Sequence, residues 1–338
     1  MNGTPRTIVV TGATAGVGRA IAKRFARAGD HVGLIARDAM ALDDVRRELE
    51  DMGTEAWPEA IDVADAEAVF AAARRIEEKF GPVDVWINDA METVFSRVSD
   101  IKPEEFRRVT EVTYLGFVHG TMAALKSMQA RNAGVIIQIG SALAYRGIPL
   151  QAAYCGAKHA IRGFTDSLRA ELLAQKSGIR VTIVELPAVN TPQFDWARVH
   201  LRRTPRPMGT PVEPEVVADA VFRVSHGPPW REYWLGLSTI MLIIGNTVFP
   251  GALDHYLARS AISGQQTNAP VEPWRPDNLN QPVTDLHRTR GSFEQEAKNS
   301  APLVIGEVAR AGVVAAGAIL FFALGVALSR MSFRASAR

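Results

Sequence analysis

Over the first 236 positions, short unbroken apolar runs alternate with longer stretches whose apolar residues recur at helical spacing. The short runs predict strands at Thr7–Thr11, His31–Ala36, Glu55–Ile61, Val83–Asn88, Val135–Gly140, Arg180–Leu186 and Glu232–Leu235. They are rich in Val and Ile with little polar alternation, as in strands covered on both faces. The stretches between them predict helices over 17–28, 39–52, 65–79, 104–131, 151–175 and 214–226. Strands and helices in alternation imply βαβ units and an α/β domain built on a doubly wound parallel sheet.

Beyond that point the pattern changes. Residues 237–249 are almost wholly apolar but too short to cross a bilayer, so they read as an interfacial or core helix. Residues 263–300 are polar and carry Pro270, Pro273, Pro276 and Pro282, the composition of an extended surface connector. Ala311 to Leu328 is uncharged over 18 residues, about 27 Å as a helix. It reads as a membrane anchor or as a helix buried within a homo-oligomer, and its length favours the membrane. The pairs Ala311/Ala315 and Gly312/Ala316 permit close helix pairing. Arg330, Arg334 and Arg338 oppose a simple crossing from the cytoplasm; a shallow helix, or pairing with 237–249, would relieve this. The expected division is a folded domain over 1–260, a connector over 261–300 and an apolar helix over 301–338, with the α/β fold complete by about residue 236.

Composition narrows the possible roles. Apolar residues make up 47% of the 338-residue chain, enough for a packed core and too many for a disordered protein. A net charge of +2 without a basic run gives no nucleic-acid footprint. Cys155 is the only cysteine, which excludes an intrachain disulfide, and no His/Asp/Glu spacing suggests a metal. The first residues lead straight into a strand without the apolar stretch of a secretory signal, so the folded domain is expected in the cytoplasm.

The first strand ends in Thr11-Gly12-Ala13-Thr14-Ala15-Gly16-Val17-Gly18. Glycines there allow a tight turn and close backbone approach to a pyrophosphate, and the following helix offers free N–H groups and its positive dipole end. The context of strand, glycines and helix predicts dinucleotide binding on a Rossmann fold, through Gly12, Thr14, Ala15, Gly16, Val17 and Gly18. NAD-specific sites place an acid at the end of the second strand; here that position is Ala36, and Arg37 follows. A guanidinium suits a 2′-phosphate, so NADP is favoured over NAD. Asp38, one residue further on, is expected to point elsewhere.

Tyr154 and Lys158 lie four apart on a predicted helix and so share a face. A phenol is a poor acid or base near neutrality unless a cation stabilises its phenolate, which Lys158 can do. Ser141, 13 residues before Tyr154, follows a predicted strand and can donate to a carbonyl oxygen as charge develops. With the glycine loop, these residues make positions 6–236 resemble the classical short-chain dehydrogenase/reductase family. The motifs are TGATAGVG at 11–18, Asp62-Val63, Ser141, YCGAK at 154–158 and PAVNT at 187–191. The resemblance implies that Tyr154 gives or takes the proton, Ser141 orients substrate, and Lys158 holds the nicotinamide ribose while lowering the Tyr154 pKa. It also implies adenine contacts from Asp62 and Val63, central contacts from Asn88 and Ala90, and nicotinamide contacts from Pro187, Val189 and Thr191.

Three positions depart from the family pattern. Met91 replaces the last glycine of Asn-Asn-Ala-Gly, Ala188 replaces the glycine after Pro187, and Thr113 stands where a helix asparagine supports a proton-relay water. Other residues read as structural: Cys155 as a packing thiol, His159 as unpartnered, Lys23, Arg24 and Arg27 as a solvated face, and Trp230, Tyr233 and Trp234 as core around the last strand. Two function classes follow. The leading one is an NADP(H)-dependent oxidoreductase interconverting a small-molecule secondary alcohol and ketone, with a lipophilic substrate suggested by the apolar tail. The other is a nucleotide-binding sensor or scaffold that keeps the fold without turnover.

Overall fold

The computed structural model describes residues 4–228 and 230–318. Eight strands form the main sheet: β1 (Thr7–Thr11), β2 (His31–Ala36), β3 (Ala56–Ala60), β4 (Val83–Asn88), β5 (Gly134–Ile139), β6 (Ile179–Glu185), β7 (Glu232–Leu235) and β8 (Leu303–Ile305). Their order is β8-β7-β6-β5-β4-β1-β2-β3. All pairings are parallel except β7 with β8. The strand order reverses between β1 and β4, and in such sheets ligands bind at the carboxyl ends of the strands beside that point.

The helices are α1 (Gly16–Ala26), α2 (Ala39–Glu50), α3 (Ala66–Phe80), α4 (Pro103–Thr110), α5 (Gly116–Gln129), α6 (Ala152–Ala174), α7 (Pro214–His226), α8 (Leu237–Val248) and α9 (Pro250–Gly264). A π-helical turn, Glu111–Leu115, joins α4 to α5. Buried faces of β1, β2, α1, α2 and α7 make one core layer, including Ile8, Val10, Phe25 and Leu34. The opposite layer packs α3, α5 and α6 on Val9, Trp86 and Ile136. Asp38 starts α2 by accepting from the amides of Met40 and Ala41 at 2.9 and 3.1 Å, which satisfies two otherwise free donors. One oxygen of Asp38 is thus turned to the helix, although the residue still lines the cleft described below, against the expectation from its place after Arg37.

Two expectations for the C-terminal part need correction. The sheet is not complete at residue 236, because β8 adds an antiparallel edge strand, with Tyr233 opposite Ile305 and Leu235 opposite Leu303. Residues 263–300 are not a free connector. Leu279 is buried, Gly291 N–H donates to the Asn190 carbonyl at 3.0 Å, and Glu213 N–H donates to the Lys298 carbonyl at 3.0 Å. A helical segment over 306–318 follows β8, and Arg310 from it binds Glu232 and the Tyr145 hydroxyl. Most of the apolar run 311–328 lies outside the described residues. Among the described residues, no helix is long and apolar enough to cross a membrane.

Candidate active site

The glycine loop leaves β1 in conformations that require its residue types. Gly12 and Gly16 have φ of +73° and +54°. A Cβ on Gly18 would lie 2.2 Å from the Gly12 carbonyl oxygen, so α1 can approach the loop only with glycine there. Ala15 caps α1 without a side-chain bond, leaving the helix end to backbone donors. The Thr11 hydroxyl accepts from the amides of Asp89 and Ala90 at 3.0 and 3.1 Å, fixing the loop after β4 against β1.

A cavity of about 490 Å³ runs from this loop across the strand ends. Gly12, Thr14, Ala15, Gly16 and Val17 line it, as do Arg37, Asp62, Val63 and Ala90. Ser141, Tyr154, Lys158, Pro187, Val189 and Thr191 line it too, so most of the residues expected from the sequence meet in one cleft. Two do not face it. Gly18 packs against Gly12. Asn88 is fully buried below the cleft, accepting from Trp86 Nε1 at 2.8 Å and donating to Gln138 at 2.9 Å and Thr121 at 3.1 Å. Its amide holds strands β4 and β5 to α5 instead of reaching a ligand.

The catalytic candidates come from two elements. Ser141 follows β5 with its hydroxyl accepting from Leu143 N–H at 3.2 Å. Tyr154 stands in the first turn of α6 and Lys158 one turn later. Lys158 is buried, and its Nζ donates to the Ile139 carbonyl at 2.7 Å. Burial lowers the Lys158 pKa to about 8, against the opposing pull of Asp89 and Glu185. Burial also pushes the Tyr154 phenol up, and hydrogen bonding by the Ser141 hydroxyl is the largest influence in the other direction. The site can therefore hold an un-ionised phenol next to a hydroxyl donor, with a cation one helical turn away.

Asp89 and Glu92 line the cleft, and Glu185 is buried at the end of β6; sequence context did not single these acids out. Asp89, on the loop tied to Thr11, is raised to about 7 by burial, with Lys158 opposing. Glu92 is raised to about 8 by burial, although Arg37 binds its Oε1 at 2.7 Å. Glu185 is buried without a hydrogen-bond partner on either oxygen, and burial raises it to about 8. Asp89 stands where the family's Asn-Asn-Ala-Gly has its second asparagine. Nothing in sequence marks Glu92 or Glu185. Thr113 does not reach toward Lys158: its hydroxyl is engaged by the backbone of Glu92.

The family model for short chain dehydrogenases matches residues 6–199. The chain belongs to that family. Among curated relatives of this short-chain dehydrogenase, an uncharacterized oxidoreductase, YxnA, of Bacillus subtilis is 31% identical over 90% of this chain and 89% of its own. Dehydrogenase/reductase SDR family member 7B of Mus musculus is 39% identical, over 54% of this chain and 58% of its own length. A solved alcohol dehydrogenase from the archaeon Thermococcus sibiricus, complexed with 5-hydroxy-NADP, superposes with a TM-score of 0.60 at 27% identity. That match covers 68% of this chain and 96% of the other. The match to YxnA runs over 322 residues and so extends well beyond the residues that the family model covers.

Of the residues outside the cleft motifs, some pack as expected and others do not. Cys155, Tyr233 and Trp234 are buried, whereas Trp230 is exposed and lies outside the core. Lys23 and Arg24 are not merely solvated: Lys23 pairs with Glu48 at 3.2 Å, and Arg24 with Asp219 at 2.6 Å while lying over the Phe222 ring. His159 Nδ1 bonds the Cys155 carbonyl at 2.8 Å. Among the described residues no His/Cys/Asp/Glu group is arranged to hold a metal.

Proposed function

We propose that this chain is an NADP(H)-dependent oxidoreductase interconverting a lipophilic secondary alcohol and its ketone. The observation that carries the reading is the convergence of Ser141, Tyr154 and Lys158 on the same cleft as the glycine loop. The cradle fits a dinucleotide, because positive φ at Gly12 and Gly16 and the closed approach at Gly18 leave room only for backbone beside the cleft. A bound nicotinamide cofactor supplies or accepts the hydride. Tyr154 Oη gives its proton to the carbonyl oxygen in reduction and takes it back in oxidation. Ser141 Oγ donates to the same oxygen and steadies the developing charge. Lys158 Nζ, protonated below about pH 8, makes the phenolate less costly.

The absence of a carboxylate at Ala36 and the engagement of Asp38 in capping α2 support NADP over NAD. Arg37 supports it through its charge, though its guanidinium is already bound by Glu92 and by the Asn278 carbonyl, at 2.7 and 2.6 Å. A lipophilic substrate is supported by the far end of the cleft, where Leu143, Ile148, Met208, Leu242 and Leu257 line the wall. Attachment to a membrane through 311–328 agrees with that class. Its support is the sequence of the run, together with exposed Leu237, Met241 and Phe249 on and after α8.

The test is a screen of ketones and alcohols with purified protein, following NADPH absorbance, with Tyr154→Phe beside the parent. The expected result is turnover that Tyr154→Phe removes while cofactor affinity stays within about twofold. Turnover in Tyr154→Phe near the parent rate would move the chemistry elsewhere, and cofactor binding with no turnover on any carbonyl would favour the sensor reading.

A further inference from the structure

Two glutamines 114 positions apart meet beside the apolar end of the cleft. Gln151 caps α6 one helical turn before Tyr154, and Gln265 follows the end of α9. Gln151 Nε2 donates to Gln265 Oε1 at 2.7 Å. Gln265 Nε2 donates in turn to the Pro149 and Ala261 carbonyls, at 2.9 and 3.0 Å. Gln265 is fully buried. Ala261 belongs to an apolar cluster with Ile148, Cys155 and Leu257, on which Leu143 and Met208 pack.

This pairing decides which way each carboxamide faces. A carbonyl oxygen only accepts, so the Gln265 atom between Pro149 and Ala261 is its NH2 nitrogen, and its Oε1 faces Gln151. The Gln151 atom against that oxygen must then be a nitrogen as well, which leaves Gln151 Oε1 unbonded. Among the described residues this oxygen has no donor. Gln151 lines the cleft with 9% exposure, and its Oε1 is not sealed from solvent. The apolar side chains of that wall, Leu143, Ile148, Met208 and Leu257, have no N–H or O–H to offer it. Ser238 on α8 and Tyr256 on α9 also line the cleft, but a hydroxyl turns to donate or accept and so sets no polarity. The carboxamide of Gln151, held by Gln265, sets one: it asks for a donor.

We propose that Gln151 is a specificity-determining residue: its Oε1 accepts a hydrogen bond from a hydroxyl that the lipophilic ketone carries close to its reacting carbonyl. Gln265 is the positioning residue that keeps this oxygen turned to the cleft. The proposal rests on the oxidoreductase reading above and narrows its substrate class to a hydroxyketone with an apolar remainder, reduced to a diol. The hydroxyl belongs near the carbonyl because Gln151 stands one turn before Tyr154, on the same side of α6. A ketone without it buries the amide oxygen against carbon, which removes that oxygen's pairing with solvent and puts nothing in its place. Gln265 lies beyond residue 199, where the family match ends, so the orienting device belongs to this chain's own C-terminal part.

The experiment reads kcat/KM with NADPH for matched sets of long-chain ketones: plain, with a hydroxyl on the neighbouring or next carbon, and with that hydroxyl methylated. The full chain, Gln151→Leu and Gln265→Leu are compared. The full chain is expected to prefer the hydroxyketone over both other forms by about tenfold or more. Gln151→Leu is expected to lose that preference. Gln265→Leu is expected to lose most of it, since the released carboxamide can turn. A merely structural role would lower all three forms alike, so the ratio between them separates the two accounts. Where a variant does not fold, the ratio in the full chain carries the test. A full chain that reduces plain and hydroxylated ketones equally well overturns the assignment and leaves the oxidoreductase reading standing, as does a preference that survives in folded Gln151→Leu. A full chain that reduces no ketone of any set overturns both.

Discussion

The Thr113 hydroxyl both accepts from the Glu92 N–H at 2.9 Å and donates to the Glu92 carbonyl at 3.0 Å, clamping the loop after β4 to the π-helical turn. Thr113 is fully buried, so neither backbone group of Glu92 has water as an alternative there. Replacing it with valine keeps the volume and leaves two buried polar groups unpaired. Thr113→Val is expected to lower stability by about 2 kcal/mol in denaturant unfolding. Thr113→Asn offers a carboxamide with one acceptor and two donors, which can restore both bonds. Its stability is expected within about 1 kcal/mol of the parent. A Thr113→Val protein as stable as the parent would show that the clamp contributes nothing.

Arg37 binds the Asn278 carbonyl and neutralises Glu92 at once. Arg37→Ala is expected to weaken NADPH more than NADH, by about 1.5–3 kcal/mol in the difference, because a charged hydrogen bond to the 2′-phosphate is lost. Its stability should also depend on pH. Glu92, raised to about 8 by burial, binds a proton more tightly in the folded chain than in the unfolded one. Stability therefore falls as pH rises from the unfolded carboxylate value toward about 8. Arg37 opposes that rise in pKa, so its removal pushes the folded value higher and extends the fall to higher pH. Unfolding curves at pH 6 and pH 9 check this. A variant whose deficit relative to the parent is the same at both values would sink the electrostatic account.

A third prediction concerns Lys158 and Asp89. Lys158 is lowered to about 8 by burial, and Asp89 is the first of the groups holding it up. If protonated Lys158 steadies the Tyr154 phenolate, ketone reduction should decline above about pH 8. Asp89→Asn removes the acid that favours the ammonium, so the alkaline limb should move to lower pH. The profile of kcat against pH for the two proteins decides the matter, and a limb that stays in place or moves upward contradicts it.

Much of this architecture is legible because it is local. The β2, β4 and β7 strands are short, mostly apolar runs, and the structure places them at His31–Ala36, Val83–Asn88 and Glu232–Leu235. Tyr154 and Lys158 meet the cleft because helical spacing puts them on one face. The parts that escape are long-range. Leu303–Ile305 is only three residues long and gains its strand character from the exposed edge of β7, which no local window contains. His287 finds Asp38 across 249 positions. Asn88 carries a cofactor-loop motif, yet the fold turns its amide into the core, where Trp86, Thr121 and Gln138 satisfy it.

The last prediction separates the two roles of the C-terminal region. Ending the chain after Gln281 removes β8, the His287 contact to Asp38, and the Arg310 pairing with Glu232. Glu232 is 1% exposed, and losing its guanidinium leaves it only the donors of Tyr145 and Trp234, at an expected cost of about 3 kcal/mol. Loss of β8 also bares the β7 edge, with Tyr233 and Trp234 on it, as a template for pairing between chains. This truncation is expected to aggregate or to unfold at much lower denaturant. Ending instead after Ala318 keeps every one of those contacts and cuts the 18-residue apolar run to its first eight residues, too few to span or anchor. That shorter protein is expected to stay folded and active while moving from the membrane fraction to the supernatant. Fractionation of cells expressing each form, with unfolding curves on the purified proteins, reads both effects. A stable, active chain ending at Gln281 would show these contacts and the edge strand to be dispensable, and an unchanged distribution on ending at Ala318 would remove the case for attachment through this run.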